Sequence, residues 1–163
     1  GRRTIVELGS GISTVVIARL LRERGGRIDS LEHDRRWAAL VRTQLQRERL
    51  EDLASVIETS LRPHPLGRGG APWYDEAALA RLPERIDLLL VDGPPAYGEG
   101  MAESRYPALP LLANRLSRGA LVVLDDAERP GERAILTAWE AELPFRFARH
   151  ASERIAIGRR VDV

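Results

Sequence analysis

Ile5-Val6-Glu7-Leu8-Gly9-Ser10-Gly11-Ile12-Ser13-Thr14 is the stretch that decides the fold. It reads as a short buried strand, a glycine turn and the start of a helix continuing through Val15-Val16-Ile17-Ala18-Arg19-Leu20-Leu21. Two glycines at such a junction let the backbone pass close to a ligand with no Cβ in the way. The helix start adds unpaired N–H groups and the positive end of a dipole. A junction of this kind holds a nucleotide-like cofactor.

Outward from it, strands and helices alternate. Gly25-Gly26 stops the first helix, and residues 27–32 form a second strand. Asp34 caps a helix carrying Trp37, Leu40, Val41, Leu45 and Leu50 at helical spacing. A third strand covers 54–59. The proline- and glycine-rich stretch 62–72 reads as a loop, and Asp75 caps a short helix over 76–82. Ile86-Asp87-Leu88-Leu89-Leu90-Val91 is a near-continuous apolar run, the mark of a parallel strand covered on both faces. It ends in Asp92-Gly93-Pro94-Pro95. A helix over 106–116 must place Pro107 and Pro110 in its first turn or distort, and Gly119 ends it. Ala120-Leu121-Val122-Val123-Leu124 is the fifth strand, ending in Asp125-Asp126; a helix over 132–143 follows. Residues 145–150 and 154–161 alternate like an antiparallel hairpin. Trp37 and Trp139 lie at core spacing and read as packing residues.

This order predicts an open α/β sheet, mostly parallel, with one antiparallel strand from the closing hairpin at its edge. The 163 residues, 44% of them hydrophobic, suit a single domain over 1–163 with a loop insertion at about 62–75. The chain opens directly on a strand and its only methionine is Met101, so upstream helices are expected to be missing from it. No apolar run nears the roughly 20 residues of a membrane span. A net charge of +1 gives no field to attract nucleic acid or an anionic membrane, so neither is an expected partner. The absence of cysteine excludes disulfides, thiolate metal sites and a cysteine nucleophile, and fits a cytoplasmic protein. All 25 basic residues are arginine, so no lysine acts as a base or Schiff-base former.

Ligands in an open α/β sheet bind beyond the carboxyl ends of the strands, where strand order reverses. Strand one ends in Glu7 and the glycine turn, strand two in Glu32, strand three in Thr59-Ser60, strand four in Asp92 and strand five in Asp125-Asp126. Only 24 of 163 residues are acidic, so carboxylates at four of five ends are not the pattern of random placement. A dinucleotide fingerprint wants a third glycine where Thr14 stands, and a helix start free for a pyrophosphate. Thr14, with Glu7 just before the turn, favours a cationic ligand instead.

These residues resemble a known family. Glu7 to Thr14 is similar to the first motif of class I S-adenosyl-L-methionine-dependent methyltransferases, and Leu31-Glu32-His33-Asp34 to their second. Gly11 to Glu32 spans 21 positions, near the spacing of about 20 for a ribose-binding acid. Val91-Asp92-Gly93-Pro94-Pro95 and Leu124-Asp125-Asp126 resemble the family's fourth- and fifth-strand motifs. The likeness runs over about residues 4 to 161 and implies a Rossmann-like doubly wound sheet. It implies that Glu7, Gly9, Ser10, Gly11, Ser13 and Thr14 seat the methionine part of the cofactor, Glu7 holding the turn or reaching the amino group through water. Glu32 would accept both ribose hydroxyls, with His33 as a wall. Thr59, Ser60 and Leu61 would border the adenine.

Asp92, Asp125 and Asp126 further resemble the metal-binding aspartates of the catechol O-methyltransferase group. That likeness implies an Mg²⁺ ion on hard oxygen ligands, orienting an acceptor hydroxyl and lowering its pKa. Two departures stand out. That group's catalytic lysine has no counterpart here, and its third ligand is usually asparagine where this chain has Asp126. The alternative for the trio is no metal, with Asp92 on the cofactor and Asp126 capping a loop.

Trp73, Tyr74 and Tyr97 fall in loops on the ligand side, as walls of a substrate pocket or, for Trp73, as a pin for the insertion. His64 reads as a solvated loop residue or a base; His150 sits on the hairpin with no evident partner. The leading expectation is methyl transfer from S-adenosyl-L-methionine to a small-molecule acceptor, at oxygen, with or without Mg²⁺. The competing classes are a non-catalytic module binding the same cofactor and an NAD(P)-dependent oxidoreductase.

Overall fold

The computed structural model describes residues 1–149 and 154–161; His150 lies outside them. The strands are β1 (Thr4–Leu8), β2 (Arg27–Glu32), β3 (Ala54–Glu58), β4 (Leu61–Arg62), β5 (Trp73–Tyr74), β6 (Ile86–Val91), β7 (Leu116–Leu124), β8 (Phe145–Arg149) and β9 (Ala156–Arg160). The helices are α1 (Ile12–Arg24), α2 (Arg35–Arg47), α3 (Glu76–Leu79), α4 (Ala108–Leu112) and α5 (Pro130–Glu142). One seven-stranded sheet runs in the order β3-β2-β1-β6-β7-β9-β8. Its first five strands are parallel, and β9 pairs antiparallel with both β7 and β8. The antiparallel strand thus lies one place in from the edge, with β8 outermost.

The two-residue period of the strands sorts their side chains onto two cores. Ile5, Ile28 and Val56 join Val15, Ala18, Leu21, Val41 and Leu45 of α1 and α2. Val6, Leu8, Leu31, Leu89 and Val122 join Leu109, Ile135, Leu136 and Trp139 on the opposite face. Burial on both faces is what the near-continuous apolar run of β6 demands. Among the described residues no helix is long and apolar enough to cross a membrane.

Three local expectations change. The 62–75 insertion is not a plain loop: β4 and β5 pair antiparallel as a small ribbon, Leu61 against Tyr74. Arg68 ties it down, reaching Glu103 at 3.0 Å and Glu142 at 2.9 Å and lying 3.7 Å over the Tyr106 ring. The helix expected over 106–116 holds only from Ala108 to Leu112, then tightens to a 3₁₀ turn at Ala113–Arg115, since Pro107 and Pro110 leave it few amide donors. Gly119 does not end that helix. It lies inside β7 at φ +74, where the register with β6 jumps from Ile86–Leu116 to Leu88–Leu121.

The chain runs outward through β1, β2 and β3, then returns to β6 beside β1. Strand order reverses at the carboxyl ends of β1 and β6, so the crevice that such a reversal opens lies between Gly9 and Asp92.

Candidate functional site

At that point the backbones touch. Asp92 N–H donates to Leu8 O at 2.9 Å and Gly9 N–H to Leu31 O at 2.9 Å. Gly9 has φ +90, and a Cβ there would lie 3.1 Å from the backbone of Asp92, so only glycine suits the position. Gly11 differs: apart from Ser13 Oγ at 3.9 Å, the space beside it is open. The crevice has a volume of about 360 Å³. Ser10, Glu32, His33 and Trp37 line one end; Asp92, Tyr97, Arg105 and Asp126 line the other.

At the first end the sheet presents Glu32, 4% exposed. Its Oε2 accepts from the N–H and hydroxyl of Ser10, both at 3.0 Å, and its Oε1 from Asp34 N–H at 2.8 Å. Backbone donors therefore aim one buried carboxylate into the crevice. His33 stands beside it, Nδ1 3.1 Å from Glu32 Oε1. Asp34 caps α2 as expected, accepting from Arg36 N–H at 2.8 Å and Trp37 N–H at 3.0 Å. Trp37 is not the packing residue its spacing suggested. It is 45% exposed, and its Nε1–H donates to Ser10 O at 2.6 Å, which holds the indole at the crevice mouth.

Glu7 is turned the other way. It is 1% exposed and accepts hydrogen bonds from Ser13 Oγ, Thr14 Oγ1 and, at 2.6 Å, Ser30 Oγ. Burial raises its pKa against those three hydroxyls. Thr14 also accepts from Gly11 N–H at 2.9 Å, tying the turn to the helix start. Thr14 therefore spends its hydroxyl inside the fold, the exposed Ser13 turns its own onto Glu7, and neither lines the crevice. Thr59, Ser60 and Leu61 do not line it either; Leu61 is drawn into the ribbon with Tyr74. Trp73 is fully buried with its ring 5.1 Å from that of Tyr74, a pin for the insertion rather than a pocket wall. Tyr97 is a wall, 78% exposed. His64 is not solvated as expected: its side chain is turned inward, Nδ1 accepting from Leu66 N–H at 3.1 Å.

At the second end Asp92, Asp125 and Asp126 each offer a carboxylate oxygen within 4.8 Å of the others. A residue that sequence reasoning missed stands among them. Arg105, 4% exposed, donates from Nη2 to Asp92 O at 2.8 Å and Asp92 Oδ1 at 3.1 Å, from Nη1 to Asp125 O at 3.2 Å, and from Nε to Pro94 O at 3.3 Å. Its Nη1 also lies 3.5 Å from Asp126 Oδ2 and 3.4 Å from Glu132 Oε1. Asp126 sits at φ +55 and meets two more cations, Arg129 on Oδ2 at 2.8 Å and Arg154 on Oδ1. Both its oxygens are taken. The trio converges as a metal site requires, but both oxygens of Asp126 and one of Asp92 already face guanidinium groups. Asp125 also lines a separate cavity of about 160 Å³, with Glu7 and Ser13, rather than the crevice. Partial desolvation in the crevice pushes the Asp92 carboxyl up to about 6 although its side chain is half exposed, with Arg105 pulling against it.

Comparisons with known proteins agree with the fold. A family model described as a methyltransferase domain matches residues 6–127. No curated protein matches the sequence. An O-methyltransferase from Bacillus cereus, solved in complex with SAH, superimposes with a TM-score of 0.69 at 19% identity, covering 96% of this chain and 73% of that one. The SAH-bound methyltransferase PaMTH1 of Podospora anserina gives 0.71 at 16%, covering 99% and 73%. The O-methyltransferase TomG of Streptomyces achromogenes, solved with SAM and involved in tomaymycin synthesis, gives 0.67 at 15%, covering 99% and 74%. At such identities the likeness to these structures is one of fold.

Proposed function

The chain belongs to the methyltransferase-domain family, and on that premise we propose that it moves the methyl group of S-adenosyl-L-methionine to an oxygen of a small-molecule acceptor. The observation that carries the reading is Glu32: a buried carboxylate at the end of the second parallel strand, aimed into the crevice by two backbone N–H donors. Such a group suits a vicinal diol, since its two oxygens accept two hydroxyls at once. The Ser10 hydroxyl is the partner that can rotate away to make room. Gly11, with open space beside it, allows a ligand to lie against the backbone. Glu7, just under the turn, and the buried Thr14 in the third-glycine position disfavour a dinucleotide there.

When bound, the cofactor supplies an activated methyl group. The chain's residues supply the rest by position. Glu32 and the Trp37 indole hold one end of the crevice. Asp92 holds the other, its side chain 52% exposed and one oxygen pinned by Arg105. With no lysine in the chain, Asp92 is the group we assign to receive the proton of an acceptor hydroxyl. Alignment of acceptor and methyl is a large rate term by itself. The same sulfonium-bearing ligand and its demethylated product are found in the solved neighbours.

Calorimetry with S-adenosylhomocysteine tests the reading. The folded chain is expected to bind one equivalent; no heat at high micromolar ligand, with folding confirmed by circular dichroism, overturns it.

A further inference from the structure

We propose that the guanidinium of Arg105 is the resident cation of the acceptor end, standing where a divalent ion would bridge Asp92 and Asp126, and that this chain works without an added metal ion. The inference rests on the reading of the crevice as a methyl-transfer site, but its test does not. Arg105 touches every member of the trio: the carboxylates of Asp92 and Asp126 and the backbone carbonyl of Asp125. All three of its nitrogens are engaged, two of them with carboxylates, and the group is buried. A guanidinium keeps its charge at any working pH, and its planar fork suits several fixed acceptors at once. The cation is therefore permanent, and it cannot serve as a base.

The surroundings leave a second cation little to gain. A divalent ion needs carboxylate oxygens with lone pairs directed at it. On Asp126 those pairs already face Arg105, Arg129 and Arg154. An incoming ion would have to displace them and then sit within a few ångströms of three positive groups, of which the buried Arg105 is the least screened by solvent. Glu132 adds a further buried carboxylate 3.4 Å from Arg105 Nη1, so the arginine has acidic partners on Nη1 and Nη2 alike.

Arg105 is a positioning residue: it acts through Asp92. By holding both the carbonyl and Oδ1 of Asp92, it fixes the end of β6 and leaves Oδ2 for the crevice.

The test reads metal binding on the full chain with no cofactor present, after dialysis against EDTA. Mn²⁺ is added and the free ion followed by electron paramagnetic resonance. In the wild type the free signal is expected to track total Mn²⁺ up to about 1 mM, the weak end of functional divalent sites. Arg105→Met frees Asp92 Oδ1 and removes the one buried cation of the three on Asp126, and is expected to bind one Mn²⁺ at least about tenfold more tightly than wild type. Arg105→Lys keeps a cation in place and is expected to stay with the wild type. Stoichiometric Mn²⁺ binding by the wild-type chain overturns the proposal whatever the variants do. So does a folded Arg105→Met that binds no better than wild type. Failure to bind S-adenosylhomocysteine would instead sink the cofactor reading and leave the Mn²⁺ result standing.

Discussion

No Cβ fits between Gly93 and Tyr74: one built on Gly93 overlaps the Tyr74 hydroxyl and lies 2.9 Å from the backbone nitrogen of Gly9. The glycine turn, the end of β6 and the inserted ribbon therefore meet at one point beneath the crevice. Gly93→Ala forces one of the three to move. Overpacking of this kind costs about 1–3 kcal/mol, and urea denaturation should show a loss in that range together with weaker S-adenosylhomocysteine binding. Adding Tyr74→Phe should recover part of the stability, because it removes the atom in closest conflict while the Gly9 backbone stays.

Tyr74→Phe alone should behave oppositely to most core substitutions. The Tyr74 hydroxyl is fully buried and has no hydrogen-bond partner among the described residues. A buried hydroxyl left unsatisfied costs about 1–3 kcal/mol, so its removal should raise the melting temperature by about 3 °C for each kcal/mol recovered. A lower melting temperature would show that the hydroxyl has a partner in solution.

Glu32→Ala should weaken S-adenosylhomocysteine binding by about tenfold, the order expected for lost charge-assisted hydrogen bonds. It should also cost stability, because the N–H groups of Ser10 and Asp34 lose their acceptor. Glu32→Gln keeps one acceptor oxygen and should fall between. An unchanged affinity in Glu32→Ala would place the ribose elsewhere.

The elevated carboxyl of Asp92 gives a pH dependence. Partial desolvation raises it from 3.8 to about 6, against the pull of Arg105. If the ionised form takes the acceptor's proton, kcat/KM falls with unit slope as pH drops through about 6. Asp92→Asn should lose that acid limb along with most of the rate. Stability should move the other way. The folded state holds this proton more tightly than the unfolded chain between pH 3.8 and about 6, so ionisation of Asp92 removes stability as pH rises across that window. Asp92→Asn should flatten that part of the profile.

The strands and the acids at their ends were legible because both are local patterns: the apolar run of β6, the glycines after β1 and a carboxylate at four of the five strand ends. Arg105 was not, because its partners at Asp92, Pro94, Asp125, Asp126 and Glu132 lie on three other segments of chain. One sign was available. It is the only basic residue between Arg85 and Arg115, in a stretch that leads from one acidic strand end toward the next. Acids crowded at adjacent strand ends need a counter-charge, and no lysine exists to give it. Trp37 misled for a different reason. Helical spacing marks an apolar face, but in the first turn of α2 that face looks across at the Ser10 carbonyl and solvent rather than at the sheet. Ser13 and Thr14 were ambiguous for another reason: a hydroxyl near a glycine turn looks the same in sequence whether it faces a ligand or a buried acid.

That last distinction is open to measurement. Glu7 is the acceptor for three hydroxyls, of which Thr14 and Ser30 are fully buried, and it does not line the crevice. Glu7→Ala should strand those donors and leave a cavity under the turn, and about 3 kcal/mol of lost stability is the order to expect from orphaned buried groups. Glu7→Gln keeps the shape and one acceptor oxygen, and the carboxyl it replaces is already penalised by burial, so its loss should be smaller. In a folded Glu7→Gln protein the affinity for S-adenosylhomocysteine should stay within about threefold of wild type, since a group that shapes the turn without touching the ligand changes binding only indirectly. A tenfold or greater loss in Glu7→Gln, with the melting temperature held, would mean that Glu7 reaches the cofactor after all, through a water or a turn that opens when the ligand enters.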